Sequence, residues 1–269
     1  MIGIIGQGFV GNAVYQKFKN FYRVNTYDLN SSICNSSYKQ VVENDIIFIC
    51  LPTPMNKDGS CNTSIIEKEI KKINLESKVL IIKSTVIPGT VQNWNSKYKP
   101  QIVFNPEFLT ERNAVNDYEN QNRIILGGSD DATAIIKPIF NNVFPNSKII
   151  KTDSTTAETV KYMTNSFLSV KVSFANEFYQ LSKKLKIDYD KLVEYAIYDN
   201  RLGSSHWNVP GPDGDLGFGG HCFPKDISAI IKLTEEKKTV NNILRAAKKT
   251  NDLVRSNRDW EKMKGRAVS

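Results

Sequence analysis

The chain has 269 residues with 36 basic and 28 acidic side chains, a formal net charge of +8, and 40% hydrophobic residues. These values exclude a disordered chain and allow two domains with large hydrophobic cores. The positive charge is compatible with binding to nucleic acid, to an acidic membrane or to a phosphate-bearing small molecule. Because the lysines are scattered, with no basic tract interleaved with aromatic residues, we do not expect nucleic acid binding.

The cysteines and the apolar runs restrict the class of protein further. The four cysteines form neither a CxxC pair nor a regular spacing, which argues against a metal site and a disulfide framework. No apolar run approaches the length of a membrane span, and the N-terminus lacks the basic lead and apolar length of a signal peptide. We therefore expect a soluble, cytoplasmic protein with reduced thiols and no membrane partner.

The first elements predict a dinucleotide-binding unit. An apolar strand at residues 2–5 ends in a G-x-G-x-x-G loop, and a helical pattern and a second strand ending at Asp28 follow. The glycines allow a tight turn and bring a pyrophosphate close to the helix N-terminus, and Asp28 would accept hydrogen bonds from a ribose diol, which favours NAD over its 2′-phosphorylated form. The alternative is a glycine-rich turn without a ligand. The residues expected to contact NAD are Gly6, Gln7, Gly8, Phe9, Val10, Gly11 and Asp28.

Four further apolar runs have the continuous hydrophobic character of strands buried in a parallel sheet. They lie at residues 45–51, 79–82, 102–104 and 123–126. Open α/β sheets bind ligands at the carboxyl ends of their strands, and Thr53, Thr85 and Glu107 each fall just past such an end. Each alone could be a turn or cap residue, but the three together indicate a site.

After Ile150 the pattern changes from short strands to long helices. We therefore predict a Rossmann-like, doubly wound α/β domain that binds NAD over residues 1–150, and an all-helical central domain over residues 151–269. One helix of about 30 residues should begin near Asp153, with Thr155 and Glu158 as a capping box. Its apolar residues are Val160, Met163, Phe167, Phe174, Phe178, Leu181 and Leu185. A helix of this length often bridges domains or pairs with a second copy.

Lys161 and Asn165 stand one turn apart on this helix, offset from its apolar stripe. They are candidates for a polar site, and ordinary surface polarity is the alternative. Farther along the chain, residues 201–220 form a Gly- and Pro-rich loop of a length that is commonly functional. We do not expect the histidines of this region, His206 and His221, to act as acid–base groups.

Cys222 follows paired glycines and precedes Phe223 and Pro224. Proline can occupy the first position of a helix, and the positive end of the helix dipole would favour the thiolate. Asp226 lies one helical turn after the cysteine, with Lys225 beside it. A nucleophilic thiol with a carboxylate one turn away suits covalent catalysis followed by hydrolysis. The alternative is a small buried cysteine at a loop-to-helix junction.

Taken together, these stretches resemble the UDP-glucose/GDP-mannose 6-dehydrogenase family, most closely its UDP-glucose 6-dehydrogenases. Seven matches occur in the family's order and cover nearly the whole chain. They are Gly6–Gly11; Leu51-Pro52-Thr53-Pro54 with Asp58-Gly59; Lys83-Ser84-Thr85-Val86; Asn105-Pro106-Glu107-Phe108-Leu109; Glu158-x-x-Lys161-x-x-x-Asn165; Asp199-x-Arg201-x-Gly203; and Gly217-Phe218-Gly219-Gly220-x-Cys222-Phe223-Pro224-Lys225-Asp226.

The resemblance implies an NAD-dependent, four-electron oxidation of a nucleotide sugar, most simply UDP-glucose to UDP-glucuronate, in polysaccharide biosynthesis. Cys222 would attack the intermediate aldehyde to give a thiohemiacetal, a second oxidation would give a thioester, and water would hydrolyse it. Lys161 and Asn165 would stabilise oxyanions, Asp226 and Thr85 would position water, and Glu107 would act as an acid–base group.

The resemblance also implies the binding contacts. Additional cofactor contacts would be Pro52, Thr53, Thr85 and Lys225. Substrate contacts would be Glu107, Phe108, Leu109, Glu111, Lys161, Asn165, Arg201, Phe218 and Gly219. Arg201 corresponds to an arginine that in relatives can reach the substrate of the partner subunit, and together with the long helix it implies a homodimer. Family members usually continue into a third, nucleotide-sandwiching α/β domain, and this chain ends before it.

We favour a sugar-nucleotide dehydrogenase, because every residue that the implied chemistry uses is present. Two alternatives stay open. A two-electron hydroxyacid dehydrogenase would have no use for Cys222 and would yield one NADH per substrate. A non-catalytic protein that binds NAD or a nucleotide sugar would be stabilised by its ligand without turnover. The residues do not distinguish glucose, mannose and N-acetylated hexosamines as the sugar.

Overall fold

Seven short strands of mainly branched aliphatic residues form one sheet in the computed structural model, which describes residues 1–269. In chain order they are β1 (Ile2–Ile5), β2 (Val24–Tyr27), β3 (Ile46–Ile49), β4 (Val79–Ile82), β5 (Gln101–Phe104), β6 (Arg123–Gly127) and β7 (Lys148–Thr152). The spatial order is β2-β1-β3-β4-β5-β6-β7; the first five strands are parallel, and β6 runs antiparallel to β5. The chain reverses its direction of winding beside β1, where such sheets bind ligands. The predicted Rossmann-like sheet is confirmed.

Ten helices accompany the sheet. They are α1 (Phe9–Phe18), α2 (Tyr38–Val42), α3 (Ser64–Lys72), α4 (Thr90–Lys97), α5 (Ala114–Glu119), α6 (Asp130–Val143), α7 (Ser154–Leu185), α8 (Tyr189–Ala196), α9 (Phe223–Glu236) and α10 (Asn242–Val254). Side chains alternate across each strand, so one sheet face packs on Phe18 and Phe140 of α1 and α6, and the other packs on Ile66 and Trp94 of α3 and α4. Both faces are covered, which explains the unbroken apolar runs. None of the helices combines the length and apolar character that a membrane crossing requires.

The chain forms two compact units. The first contains Met1–Thr53 and Thr63–Lys161, and the second contains Pro54–Asn62 and Tyr162–Ser269. Within the second unit, the Met55 N–H donates to the carbonyl of Ala267 at 2.8 Å, and the Ser269 N–H donates to the carbonyl of Met55 at 2.9 Å. Residue 150, where we placed the domain boundary, lies inside β7. The hydrophobic pattern did not predict this strand, because flanking lysines shorten the apolar run in its sequence K-I-I-K-T.

The predicted long helix is confirmed as α7, which has 32 residues, but its apolar stripe faces outward. The stripe is exposed by 41% to 74% at Met163, Phe167, Phe174, Phe178, Leu181 and Leu185. The buried side chains of the helix are largely polar: Lys161, Asn165, Ser169, Ser173 and Asn176 are all at most 6% exposed. Periodicity normally predicts that the apolar stripe of a helix faces the core. Here these five side chains make hydrogen bonds instead, as when Ser173 Oγ donates to the carbonyl of Ala247 at 2.8 Å.

The predicted capping box of Thr155 and Glu158 is wrong. Asp153 caps α7, because its carboxylate accepts a hydrogen bond from the Thr156 N–H at 2.8 Å. The carboxylate of Glu158 instead accepts the N–H groups of Gly89 at 2.6 Å and Val91 at 2.8 Å, at the N-terminus of α4. Burial of this carboxylate raises its pKa to about 7, against the opposing effect of the backbone N–H donors. Glu158 therefore connects the start of α7 to α4, one of the helices that pack on the sheet.

Glu158 predicts a pH-dependent stability. A carboxyl group with a folded pKa of about 7 takes up a proton on folding between that value and its ordinary 4.5, so its contribution to stability rises as the pH falls from 8 to 5. We expect the free energy of unfolding of the wild type to gain up to about 3 kcal/mol over Glu158→Gln across this range. Urea denaturation at both pH values measures the difference. An equal difference between the two proteins at pH 5 and pH 8 would contradict the assignment.

Candidate active site

The glycine loop after β1 has the shape required for a close approach of phosphate. A Cβ at Gly11 would stand 1.9 Å from the carbonyl oxygen of Gly6, and Gly6 itself has φ +92°, so both positions require glycine. A Cβ at Gly8 would meet nothing within 4 Å, and no side chain caps α1 there. Asp28 Oδ2 accepts the Gln7 N–H at 2.7 Å. The loop, the helix N-terminus and Asp28 therefore lie together and fit a dinucleotide.

The two threonines at neighbouring strand ends also lie together. Thr53 Oγ1 donates to the carbonyl oxygen of Thr85 at 2.8 Å, and both residues are buried. Pro52, before Thr53, is exposed. Because β1, β3 and β4 are parallel, Pro52, Thr53 and Thr85 lie at the same carboxyl edge of the sheet as the glycine loop.

Lys161 and Glu107 form a buried ion pair in the first unit. Lys161 Nζ donates to Glu107 Oε1 at 3.0 Å and to the Glu107 carbonyl oxygen at 2.6 Å, and the Leu109 N–H donates to Glu107 Oε2 at 2.9 Å. Phe108 lies beneath the ammonium, with its ring centroid 5.5 Å from Nζ. Burial alone would raise the pKa of Glu107, but Lys161 outweighs it and the pKa lies below its usual range. Glu107 is therefore a carboxylate able to accept a proton.

Lys83 also lies in this region, although its sequence position did not predict a role for it. It is 2% exposed, and its Nζ donates to Asn105 Oδ1 at 2.8 Å. Burial lowers its pKa to about 8, and Cys50 and Glu107 act in the opposite direction. The available signal was a lysine directly after the apolar run of β4. Burial likewise raises the pKa of the Cys50 thiol to about 12, which makes Cys50 unsuited to nucleophilic attack.

The second unit places Cys222 where the sequence predicted it, at the N-cap of α9 with Pro224 in the first turn. Asp226, in that turn, is 1% exposed. Its Oδ1 accepts Lys225 Nζ at 2.5 Å, and its Oδ2 accepts Asn165 Nδ2 at 2.6 Å. Both carboxylate oxygens are thus held by donors, which keeps Asp226 in one orientation beside the cysteine.

Lys225 is the cation of this cluster. Burial lowers its pKa, but the attraction of Asp226, and of Cys61 and Cys222, is stronger, so the pKa lies above its usual range. A lysine that stays charged next to a sulfur favours the thiolate form of that sulfur.

The glycine-rich turn before Cys222 is held by side-chain amides. The Phe218 N–H donates to Asn251 Oδ1 at 2.6 Å, and Asn251 Nδ2 donates to the Phe218 carbonyl oxygen at 3.0 Å. The Gly217 N–H donates to Asn176 Oδ1 at 3.0 Å. The ring of Phe218 is buried against α9, so this turn presents backbone rather than side chains.

The remaining predicted substrate contacts are more exposed. Glu111 lies in a short 3-10 helix after β5 and is exposed. Arg201 lies in another 3-10 helix and pairs with Asp199, with Nε at 2.9 Å from Oδ1. The Arg201 side chain is 89% exposed, which leaves it accessible to a second chain.

The chain matches two models of one family. The NAD binding domain of the UDP-glucose/GDP-mannose dehydrogenase family matches residues 19–144, and the central domain of that family matches residues 155–253. UDP-glucose 6-dehydrogenase of Rickettsia bellii is 34% identical over 227 residues, which are 80% of this chain and 51% of that protein. UDP-glucose 6-dehydrogenase TuaD of Bacillus subtilis is 31% identical over 239 residues, 85% of this chain and 50% of that protein.

A solved structure agrees with these matches. The UDP-glucose dehydrogenase of Pyrobaculum islandicum superposes with a TM-score of 0.82 at 28% identity, over 94% of this chain and 68% of that one. The chain spans about half the length of the curated relatives it matches. From the two matched domains and the superposition, the chain belongs to the UDP-glucose/GDP-mannose dehydrogenase family, with NAD as its cofactor.

Proposed function

We propose that the protein oxidises the C6 alcohol of a nucleotide sugar, most simply UDP-glucose, to the carboxylate through a thioester on Cys222. The observation that carries this proposal is the position of Cys222 at the N-cap of α9, one turn before a buried carboxylate that Lys225 and Asn165 hold in place. A hydroxyacid dehydrogenase would have no need of this arrangement. A binding protein would not need a carboxylate buried at such cost.

The glycine loop and Asp28 would hold the cofactor, with Pro52, Thr53 and Thr85 beside it. Bound NAD supplies the hydride acceptor for both oxidations. Gly6 and Gly11 shape the loop, Gly8 leaves room for phosphate, and Asp28 keeps acceptor oxygens at the end of β2 for a ribose diol. Lys225 is a further proposed cofactor contact, and its ammonium also binds Asp226.

Cys222 would act on the aldehyde made in the first oxidation. Its sulfur forms a bond to the carbonyl carbon, and the carbonyl oxygen becomes an oxyanion that takes up a proton. The ammonium of Lys161 and the amide of Asn165 are the donors suited to that oxyanion. Covalent capture keeps the aldehyde in place while the spent cofactor is exchanged.

Hydrolysis of the thioester would use the carboxylates. Water adds to the thioester carbon, the carbon–sulfur bond breaks, and the sulfur leaves as thiolate while the acid forms. Glu107, kept ionised by Lys161, is the base that can take the proton of the water, and Asp226 and Thr85 position it. The substrate contacts proposed with these are Phe108, Leu109, Glu111, Phe218 and Gly219.

Stoichiometry tests this chemistry. We expect two NADH per sugar consumed when the protein is incubated with NAD+ and a panel of UDP- and GDP-sugars. Cys222→Ala should form no acid and should still bind NAD by calorimetry, because the cofactor contacts lie elsewhere. Cys61→Ser, which removes the other thiol near Lys225, is the matched control and should keep the ratio of two.

Three outcomes would count against the thioester scheme. Acid formation by Cys222→Ala would remove the need for the sulfur. One NADH per substrate in the wild type would favour the hydroxyacid dehydrogenase. Thermal stabilisation by the sugar nucleotide without any NADH would favour the non-catalytic binding protein.

We also propose a homodimer formed through the outward stripe of α7. Six large apolar side chains lie along one helix face, each at least 41% exposed, and large exposed apolar patches often mark protein–protein interfaces. A twofold axis would set this stripe against the same stripe of a second copy, so both would be covered by one contact. Arg201, exposed in the same unit, could then reach the diphosphate of the partner's substrate bidentately.

Sedimentation velocity over a hundredfold range of concentration tests the dimer. We expect the wild type to sediment as a dimer and Phe167→Glu, which places a charge within the stripe, to sediment as a monomer. Lys184→Glu is the control, because it changes a charge at an exposed position of α7 outside the stripe. A monomeric wild type, or a dimeric Phe167→Glu, would contradict the proposal.

A further inference from the structure

Arg255 directly follows α10, and its guanidinium is buried among three carboxylates. The side chain is 1% exposed, with Nη2 at 2.5 Å from Asp213 Oδ2 and 3.4 Å from Asp259 Oδ1, and Nε at 3.6 Å from Asp215 Oδ2. Nη1 also donates to the Leu216 carbonyl oxygen at 3.3 Å. Three carboxylates exceed what one cation needs for neutralisation, so the arrangement does more than compensate a buried charge. We refer to Arg255, Asp213, Asp215 and Asp259 as the arginine clamp.

The arginine clamp holds the turn that leads to Cys222. The Gly220 N–H donates to both carboxylate oxygens of Asp259, at 3.1 Å each. Gly219 lies so close to the guanidinium that a Cβ there would stand 2.2 Å from Arg255 Nη2 and 2.5 Å from Asp259 Oδ1. Glycine at this position leaves the guanidinium and the carboxylate room to approach the backbone. The two residues before His221 and Cys222 are therefore fixed by the clamp from one side.

The other carboxylates close the loop before this turn. Asp215 Oδ2 accepts the Asn257 N–H at 2.7 Å and the Ser256 hydroxyl at 3.0 Å. Asp213 Oδ1 accepts the Asp215 N–H at 3.3 Å while its other oxygen binds Arg255. The loop from residue 213 to residue 220 is thus tied to the segment after α10 along its length.

We propose that Arg255 and Asp259 are positioning residues for aldehyde capture, because they orient the backbone from which the Cys222 sulfur projects. This inference rests on the proposed function of Cys222. Neither residue has to touch the substrate. A displacement of about 1 Å at a reacting atom can slow a step by roughly a hundredfold, so a loosened turn would slow the attack of sulfur on the aldehyde.

The two oxidations differ in whether they require the Cys222 sulfur. The first oxidation of the alcohol does not require the sulfur, whereas the second requires the thiohemiacetal. When capture is slow, the aldehyde leaves and the second NADH is not formed. We therefore expect Asp259→Asn, which keeps the size of the side chain and removes its charge, to release aldehyde and to lower the ratio of NADH to sugar from two towards one.

The experiment compares four proteins: the wild type, Asp259→Asn, Arg255→Lys and Arg258→Met. Arg255→Lys keeps the charge but loses the planar fork, so its ratio should lie between those of the wild type and Asp259→Asn. Arg258→Met is the matched control, because Arg258 is a half-exposed arginine of the same segment that binds Asp252 and Glu261 rather than the glycine turn. Its ratio should stay at two. An aldehyde-trapping hydroxylamine measures the released intermediate, and urea denaturation measures stability separately.

Alkylation by iodoacetamide gives a second readout that does not depend on turnover. Peptide mass spectrometry compares the rate at Cys222 with the rate at Cys34, a cysteine of the first unit, as the internal reference. We expect the relative rate at Cys222 to change by at least about threefold in Asp259→Asn, because the sulfur loses its fixed orientation.

Two results would overturn the proposal. If Asp259→Asn and Arg255→Lys unfold at lower urea but keep a ratio of two and the wild-type alkylation rate at Cys222, the clamp is merely structural. If the wild type makes no NADH with any sugar nucleotide, the proposed function has failed, and the alkylation comparison decides: an unchanged relative rate at Cys222 in both variants overturns the clamp as well.

Discussion

Helix α7 buries charged and amide side chains, and these side chains fix the positions of the carboxylates around them. Lys161 and Asn165 are nearly inaccessible, and each is matched by one carboxylate, Glu107 in the first unit and Asp226 in the second. Buried ion pairs seldom repay the cost of their desolvation, and apolar residues of the same size often give an equally stable protein. The helix instead turns its phenylalanines outward and keeps its polar residues inside. We propose that chemistry at the polar groups, rather than stability, explains this arrangement.

Cys50 and Cys222 differ in the surroundings that act on their thiols. Cys50 is held as a neutral thiol by burial, which raises its pKa, although Lys83 lies near it. Cys222 instead occupies a helix N-cap. The ammonium of Lys225 lies close enough to Cys222 for the charge of the sulfur to raise the pKa of the lysine. Both the helix dipole and the lysine favour a thiolate. The glycine turn before Cys222, held by Asn251 and by the arginine clamp, then sets the direction of the sulfur.

Local features were predictable from the sequence, whereas long-range partners were not. The glycine loop, the apolar strands and the cysteine before Pro224 each depend on neighbouring residues, and each lies where its pattern indicated. Periodicity located the apolar stripe of α7, but the rule that such a stripe faces the core does not hold for this helix. Glu158 was assigned to its own helix because its true partners, Gly89 and Val91, lie more than sixty residues away. The sequence around Arg255 does not distinguish it from a surface arginine, because its pairing with Asp213, Asp215 and Asp259 is visible only in the folded chain.

We infer that the Lys161–Glu107 pair is kept for catalysis rather than for stability. The double replacement Lys161→Met with Glu107→Leu tests it most directly, by measuring urea denaturation and NADH formation on the same protein. We expect a free energy of unfolding equal to or above that of the wild type, together with loss of NADH formation. A double variant that loses about 3 kcal/mol or more of stability, or that turns over at the wild-type rate, would show that the pair is not kept for catalysis.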